Sequence, residues 1–291
     1  MIKFKTIGIF TSSFGKETAH VGMLIEEILT RKGCKVLFDS SFSVRWKKEI
    51  RSFSSSHLIK NADLIIAIGG DGAMLSCSRL YGSKAIPILG INLGKLGFLT
   101  DIAPNELTSR LLEVIEGYYE KDERFFLETK VKGSKKSWLA LNELVIHSGA
   151  IAQMIEFDLY IDNIFVYRQK ADGLIICSPT GSTAYSLSAG GPILHPNLDA
   201  ILINPMLPQS LTSSPLVVQA NSSLKVVLTN TENKAHLSFD SHDSLKLKGA
   251  NEINICKSNS VLEFIHPIDH DFYDGCRDKL GWSSTIINLK H

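Results

Sequence analysis

Residues 63–72 read Asp-Leu-Ile-Ile-Ala-Ile-Gly-Gly-Asp-Gly, an unbroken apolar run closed by glycines and a carboxylate. The run has no polar alternation, so it is expected to be a strand buried on both faces, as a central strand of a parallel sheet must be. Ala73 to Leu80 then follow with helical spacing, which makes Gly69-Gly70-Asp71-Gly72 a strand-to-helix junction. Glycines let the backbone turn sharply and approach a ligand, and a helix N-terminus favours negative charge, so the junction suits phosphoryl oxygens. Asp71 is the unusual member. Phosphates repel a carboxylate unless its partner is a divalent cation or a reacting hydroxyl, and phosphoryl transfer requires both. The alternative is a tight turn with Asp71 as the helix N-cap.

The surroundings agree with a parallel sheet. Upstream, Ile7 to Phe10 reads as a strand, and Glu17 to Lys32 places Val21, Leu24, Ile25, Ile28 and Leu29 on one helical face, with Gly33 as the stop. Lys35 to Phe38 is the next strand, and the Ser-rich stretch Ser52 to Ser56 is expected to be a mobile connection. Downstream, Ile86 to Ile91 reads as a strand and Pro104 to Gly117 as a helix. Strands alternating with helices predict an α/β domain. Near Tyr118 to Arg124 the composition turns charged, and a domain boundary is expected there, with the first domain spanning 1–122. Beyond it, Ile155, Phe157, Leu159 and Ile161 alternate with polar partners. Asp162-Asn163 suits a hairpin turn into Ile164 to Tyr167. Val217 to Thr229, Leu245 to Lys248, Ile253 to Ile255 and Val261 to Ile265 continue the strand reading, giving a β-rich second domain over 123–268. The tail over 269–291 carries Phe272, Tyr273, Leu280 and Trp282, so it is expected to dock on the N-terminal domain.

Composition narrows the function. The 291 residues are 44% hydrophobic and 21% charged, near the globular average, which excludes a disordered or coiled-coil chain. Lys and Arg number 31 against 30 Asp and Glu, a net charge of +1, so no basic field is available for nucleic acid or for an anionic membrane. The five cysteines are widely spaced, with no Cys-x-x-Cys pair, which predicts reduced thiols and a cytoplasmic protein. The opening MIKFKTIGIF lacks a cleavage site and reads as a strand rather than a signal peptide. Gly173 to Leu194 is uncharged and long enough to span a membrane, but about half of it is Gly, Ser, Thr and Pro.

Two familiar nucleotide signatures are missing. No Gly-x-Gly-x-x-Gly follows the first strand, which argues against an ordinary dinucleotide dehydrogenase. Gly90-Ile-Asn-Leu-Gly94-Lys95-Leu96 is one residue short of a P-loop and has Leu96 where Ser or Thr should hold magnesium. The uncharged segment instead reads as a ligand wall. From Asp172 through Pro179-Thr180-Gly181-Ser182-Thr183-Ala184-Tyr185-Ser186-Leu187-Ser188 to Pro192, small hydroxyl residues and glycines allow a sugar to come close, and Tyr185 offers a ring to a base. Turns between strands would share that composition. Asn142-Glu143 is either solvated surface or a pair suited to ribose hydroxyls and an adenine edge.

In this order, Gly69-Gly70-Asp71-Gly72, Gly90-x-Asn92-x-Gly94-x-x-Gly97-Phe98-Leu99, Asn142-Glu143 and Asp172-Gly173 through Thr180-Gly181-Ser182-Thr183-Ala184-Tyr185 resemble the bacterial NAD kinase (ATP-NAD kinase) family. The likeness continues to Lys279-Leu280-Gly281-Trp282. It implies a Rossmann-like parallel sheet in the N-terminal domain and an all-β, sandwich-like, NAD-binding C-terminal domain. The activity it implies is transfer of the terminal phosphate of ATP to the 2′-hydroxyl of the adenosine ribose of NAD, giving NADP. By the same resemblance Asp71 is the general base, and Gly69, Gly70, Gly72, Phe98 and Thr180 are nucleotide contacts. Asn142 and Glu143 grip the NAD sugar and base, Asp172 meets the nicotinamide end, and Thr183, Ala184, Tyr185, Ser186, Leu187 and Ser188 wrap the dinucleotide. Lys170 stands where relatives often carry Arg, His242 where they commonly have Gln, and Gln153 is placed by its spacing after Asn142-Glu143. Ala73 replaces a side chain that hydrogen-bonds in many members, leaving backbone N–H groups to serve.

Magnesium or another divalent cation is expected with ATP rather than in a protein cage. His266 and His270 are four apart, but Pro267 opposes a helical metal pair. The resemblance also implies a homodimer or homotetramer. Two other functions share these features: a kinase with a different hydroxyl acceptor, and an NAD(P)-binding sensor without catalysis.

Overall fold

The computed structural model describes residues 2–13, 15–42, 51–94, 97–149, 153–229, 235–247 and 252–282. Lys95, Leu96, Lys248 and the tail after Trp282 lie outside the described residues. In chain order the elements are β1 (Thr6–Thr11), α1 (Lys16–Arg31), β2 (Lys35–Asp39), β3 (Ser52–Phe53), α2 (Ser55–Asn61), β4 (Leu64–Ile68), α3 (Asp71–Tyr81), β5 (Ile88–Ile91) and α4 (Leu107–Glu116). Then come β6 (Glu120–Val131), β7 (Ser137–Ala140), β8 (Glu143–His147), β9 (Ile155–Ile161), β10 (Ile164–Cys177) and the single turn α5 (Tyr185–Ser188). The chain continues through β11 (Ala200–Pro208), β12 (Leu216–Gln219), β13 (Leu224–Leu228), β14 (His236–Phe239), β15 (Asp243–Lys246), β16 (Glu252–His266) and α6 (Phe272–Leu280). Two compact units result, Met1–Glu123 with Leu262–His291, and Arg124–Val261.

The first unit is a parallel sheet in the order β3-β2-β1-β4-β5, extended by Phe264 and Ile265 of β16 beside Ile88 and Leu89. This is the Rossmann strand order, and its direction reverses between β1 and β4, so ligands are expected beyond the carboxyl ends of those two strands. Leu64–Ile68 is buried along its whole length, as the unalternated run requires. Gly69-Gly70 ends β4 at that reversal point. Ile25 and Leu29 of α1 and Leu111 and Val114 of α4 complete a core with Ile7, Ile9, Leu64 and Ile66.

The Ser-rich stretch is ordered, contrary to the expectation of a mobile connection. Ser52 and Phe53 form β3 against Phe38 and Asp39, and α2 begins at Ser55. The serines are there for capping: Ser54 is the N-cap, its Oγ accepting from the His57 N–H, and Ser55 Oγ donates to the buried Asp39 carboxylate at 3.0 Å.

The second unit is antiparallel and β-rich, in the order β15-β14-β8-β10-β9-β13-β16, with β11 and β12 added alongside β10. Its spine is the 14-residue β10, which pairs with β9 through Ala171, with β8 from Gly173 to Cys177, and with β11 from Ala171 to Cys177. Asp162 and Asn163, at φ 51° and 65°, make the tight turn expected between β9 and β10. Val217 to Thr229 is two strands rather than one, and Ile253 to Ile265 is one strand rather than two. Leu174, Ile176, Leu144, Phe157 and Leu237 lie in one apolar core.

Ser54→Ala is expected to destabilise the first unit by about 1 kcal/mol, the usual worth of an N-cap. Hydrogen exchange should show the loss as faster exchange of the 57–61 amides, while those of β4 keep their protection.

Candidate active site

Asp71 is the first residue of α3, and Gly70, not Asp71, is its N-cap; no side chain caps this helix. The Asp71 carboxylate turns instead toward the loop that follows β5. Oδ1 accepts from the Leu99 N–H at 3.0 Å, and Oδ2 accepts from the Phe98 N–H at 3.2 Å and from the Lys279 ammonium at 2.5 Å. Its side chain keeps 28% of its exposure, so the carboxylate is held and still reachable.

Glycines allow this geometry. A Cβ on Gly97 would stand 2.1 Å from Asp71 Oδ1 and 2.4 Å from Thr100 Oγ1, and a Cβ on Gly90 would stand 2.7 Å from the Leu99 carbonyl. The spacing Gly90-x-Asn92-x-Gly94-x-x-Gly97 is therefore that of a loop folding back on the strand it leaves. Its closing bonds are Gly94 N–H to Asn92 Oδ1 at 3.1 Å and Gly97 N–H to Thr100 Oγ1 at 3.1 Å. Gly69 lies at φ +140°, and a Cβ there would come within 2.7 Å of Ala73 Cβ, so both positions are small for packing reasons.

Two residues beyond Leu99, the loop is pinned by charge. Asp101 faces two imidazoles: His266 Nδ1 meets its Oδ2, and His270 Nδ1 lies 2.9 Å from its Oδ1. His266 Nε2 lies 3.3 Å from Asp122. Burial works to lower His266, but the two carboxylates outweigh it and hold the ring up to about 9. Burial likewise works to raise Asp101, and the histidines bring it down to about 2. His266 and His270 do meet, through a turn closed by the His270 N–H on the Pro267 carbonyl rather than through a helix. Their rings are stacked, with centroids 4.0 Å apart and planes within 12°. Parallel rings cannot aim in-plane lone pairs at one ion, so the cluster of Asp101, His266 and His270 is an ion pair and not a metal cage.

In the second unit Asn142 and Glu143 are buried, at 7% and 3% exposure, against the expectation for an isolated polar pair. Asp240 holds them there. It sits at φ 49° in the β14–β15 turn, and its carboxylate accepts N–H bonds from Leu141, Asn142 and Glu143 at 2.8, 2.8 and 3.1 Å. Glu143 is itself pushed up to about 8, by burial first and by the neighbouring Asp240 second. One of its oxygens accepts from the Tyr185 N–H. Asn142 Oδ1 and Glu143 Oε2 are buried without a hydrogen-bond partner among the described residues, a state that calls for an explanation in a packed interior.

The uncharged segment is fastened to the same pair. The Ser178 N–H donates to the Asn142 carbonyl at 2.9 Å, and a Cβ on Gly181 would come within 2.3 Å of that carbonyl. Thr180 accepts from Arg124, Ser182 bridges to Leu194, and Ser186 is turned inward to Asn204, which also bonds the Ala189 carbonyl. Tyr185 and Ser188 face solvent, with Thr183, Ala184 and Leu187 half-buried. Thus Thr180 and Ser186 shape the wall while their neighbours form its surface. Asp172 is half-buried on β10, five residues before Cys177, whose register partner is Glu143. At the rise of a strand that is about 17 Å, so a ligand touching both must be long.

Lys170 is exposed beside Glu156, Gln153 is exposed, and His242 is an exposed turn residue whose Nδ1 lies 2.8 Å from the Asp240 carbonyl. Among the described residues, Gln153 makes no hydrogen bond to Asn142 or Glu143. Sequence reasoning missed Asp240, Asn204, Arg124 and Thr100. Asn204 carries a legible signal, a lone amide inside the apolar run Ala200–Pro208. Arg124 carries none, since it looks like one more surface charge.

The comparisons with known proteins agree. The ATP-NAD kinase N-terminal domain matches residues 7–119, and the ATP-NAD kinase C-terminal domain matches residues 141–267. The chain is 40% identical over 289 residues to an NAD kinase of Saccharophagus degradans, covering 98% of each, and 42% identical over 293 residues to one of Teredinibacter turnerae, covering 99% of this chain and all of that one. Among solved structures it is similar to yeast NADH kinase complexed with NADH, with a TM-score of 0.86 and 27% identity over 98% of this chain and 90% of that one. It is also similar to an NAD kinase of Archaeoglobus fulgidus in complex with ATP, with a TM-score of 0.72 and 27% identity over 90% and 94%.

Glu143 gives a pH signature. The folded chain keeps its proton to about pH 8, whereas the ordinary carboxyl loses it near 4.5, so between those values the folded state binds more protons. The contribution of Glu143 to stability therefore falls as pH rises through that window and is level outside it. Glu143→Gln should raise stability by up to about 4 kcal/mol at pH 8, read as a higher melting temperature, and leave it unchanged at pH 4. An equal offset at both pH values in thermal unfolding would overturn the assignment.

Proposed function

The chain belongs to the ATP-NAD kinase family, and from that premise we infer that it converts NAD to NADP with ATP, Asp71 acting as general base on the ribose 2′-hydroxyl. The observation that carries the role of Asp71 is its carboxylate, fixed at the strand-order reversal by two backbone N–H groups and an ammonium. A carboxylate offers about four lone-pair sites, and three are used, so one on Oδ1 remains for a hydroxyl. In the transfer the O2′–Pγ bond forms, the bond from Pγ to the β-phosphate oxygen breaks, ADP leaves, and the hydroxyl proton passes to Asp71. In a loose transition state that proton leaves late, so placement of the base matters more than its strength.

Asn142 and Glu143 hold the sugar and base of NAD. Below about pH 8 Glu143 carries its proton, so it donates to an acceptor on the ligand while Asn142 Oδ1 receives a hydroxyl. Thr183, Ala184, Tyr185, Leu187 and Ser188 line the dinucleotide, with Asp172 at its far end, and Gly69, Gly70, Gly72 and Phe98 lie at the phosphates. Lys170, Gln153 and His242 are proposed contacts of the same ligand from exposed positions.

A divalent cation arriving with ATP would neutralise phosphate charge. The donors around Asp71 are all N–H groups and an ammonium, a set that does not fit a protein-held cation, so the metal is carried on the nucleotide. We place the protein in the cytoplasm, supported by five free cysteines. No helix among the described residues is long and apolar enough to cross a membrane. A homodimer or homotetramer is the assembly that the family resemblance implies.

Incubated with NAD, ATP and magnesium, the wild type should form NADP, and Asp71→Asn should form it about 10²–10⁴-fold more slowly while still binding NAD. An NADP-specific dehydrogenase reads the product, and calorimetry reads the binding. NAD binding without product in the wild type would leave the sensor function standing.

A further inference from the structure

Helix α6 presents one face to the loop that holds Asp71. Phe272, Gly275 and Lys279 follow the spacing i, i+3, i+7 and form one stripe. The Phe272 ring is centred 6.4 Å from that of Phe98. A Cβ on Gly275 would stand 3.3 Å from the Phe98 ring and 3.5 Å from the Gly97 carbonyl, so glycine seats the helix backbone on the loop. Cys276, next to it, is fully buried. Asp271 caps the helix, accepting from the Tyr273 N–H at 2.9 Å, and Arg277 binds both Asp271 and Asp274. At the end of the stripe, Lys279 Nζ reaches Asp71 Oδ2 at 2.5 Å and lies 4.9 Å from the centre of the Phe98 ring.

We propose that Lys279 is a positioning residue for the reaction, acting through Asp71 and seated by the docking of α6 on the Gly97-Phe98 loop. This rests on the reading of Asp71 as the base. Rotation about the Cβ–Cγ bond would exchange the two carboxylate oxygens. The N–H bonds resist that rotation, but the one from Phe98 is long at 3.2 Å, and it falls on the oxygen Lys279 also binds. Both bonds to Oδ2 involve the charged carboxylate, but only that from Lys279 also has a charged donor, and it is the shorter, at 2.5 Å against 3.2 Å, so the ammonium is the main clamp on Oδ2. The free lone pair is thereby kept on Oδ1. The ring of Phe98 fixes the ammonium in turn, and the peptide that presents the ring also donates to Asp71. An inhibitory contact, in which Lys279 blocks the base until substrate displaces it, predicts the opposite sign of effect.

Lys279→Met keeps the apolar stem and removes the charge. Its kcat should fall by about 10²-fold, the scale of a misplaced catalytic group, with KM for NAD and for ATP within about twofold of wild type. Lys279→Arg should recover most of the loss, and in an Asp71→Asn background Lys279→Met should have no further effect. An unchanged or raised kcat, a rise in KM alone, or a full additional loss beside Asp71→Asn would each overturn the proposal. Thermal unfolding checks the fold, and Lys279→Gln, read by the same constants, serves where the Met variant melts early. Full activity of Asp71→Asn would sink the base itself, an outcome distinct from an inactive Asp71→Asn beside a fully active Lys279→Met.

Discussion

The contact on which the first unit's chemistry depends is between one carboxylate and two consecutive peptide N–H groups. Asp71 can receive the Phe98 and Leu99 amides only where the loop after β5 returns to within van der Waals distance of α3. Two missing Cβ atoms, at Gly90 and Gly97, make that return possible. The buried pairing of Asp101 with His266 then holds the loop from the other side, so the position of the carboxylate is set by packing and by charge together. A carboxylate held in this way has its orientation fixed in advance, the property that a reaction governed by placement and electrostatics requires of its base.

The second unit solves a different problem, that of keeping polar side chains out of water and ready. Burial of Asn142 and Glu143 costs free energy unless every group is paired, and two of their oxygens have no partner among the described residues. Asp240 offsets part of that cost by accepting three successive amides, and Gly181 allows the following segment to close over the Asn142 carbonyl.

Much of this was legible in the residues. The run Leu64–Ile68 showed its double burial through the absence of alternation, and the Asp162-Asn163 turn showed itself through residues tolerant of positive φ. The motifs marked Asp71, Asn142 and Glu143 but not what holds them. Asp240 lies nearly a hundred residues from the amides it binds, and Lys279 lies 208 from Asp71, so no local pattern joins them. The Ser-rich stretch was misread because serine is common both in loops and at helix N-caps. Only the amide it caps, on His57, tells the two apart. The burial of Asn142 and Glu143 was hidden for a related reason: polar identity argues for surface, and only the enclosing segment reverses it.

The first unit is discontinuous in sequence. Its sheet is completed by Phe264 and Ile265, its loop anchor by His266, and the clamp on its carboxylate by Lys279. During synthesis the amino-terminal strands therefore emerge with an unpaired sheet edge at β5 and with Asp101 lacking its counter-charge, and they stay so until well over a hundred further residues have been made. A chain cut short after Val261 would keep every residue of Gly69-Gly70-Asp71-Gly72 and still lack the parts that orient it. The carboxylate of Asp71 is thus made early, and the residues that hold it in place, His266 and Lys279 among them, are made last.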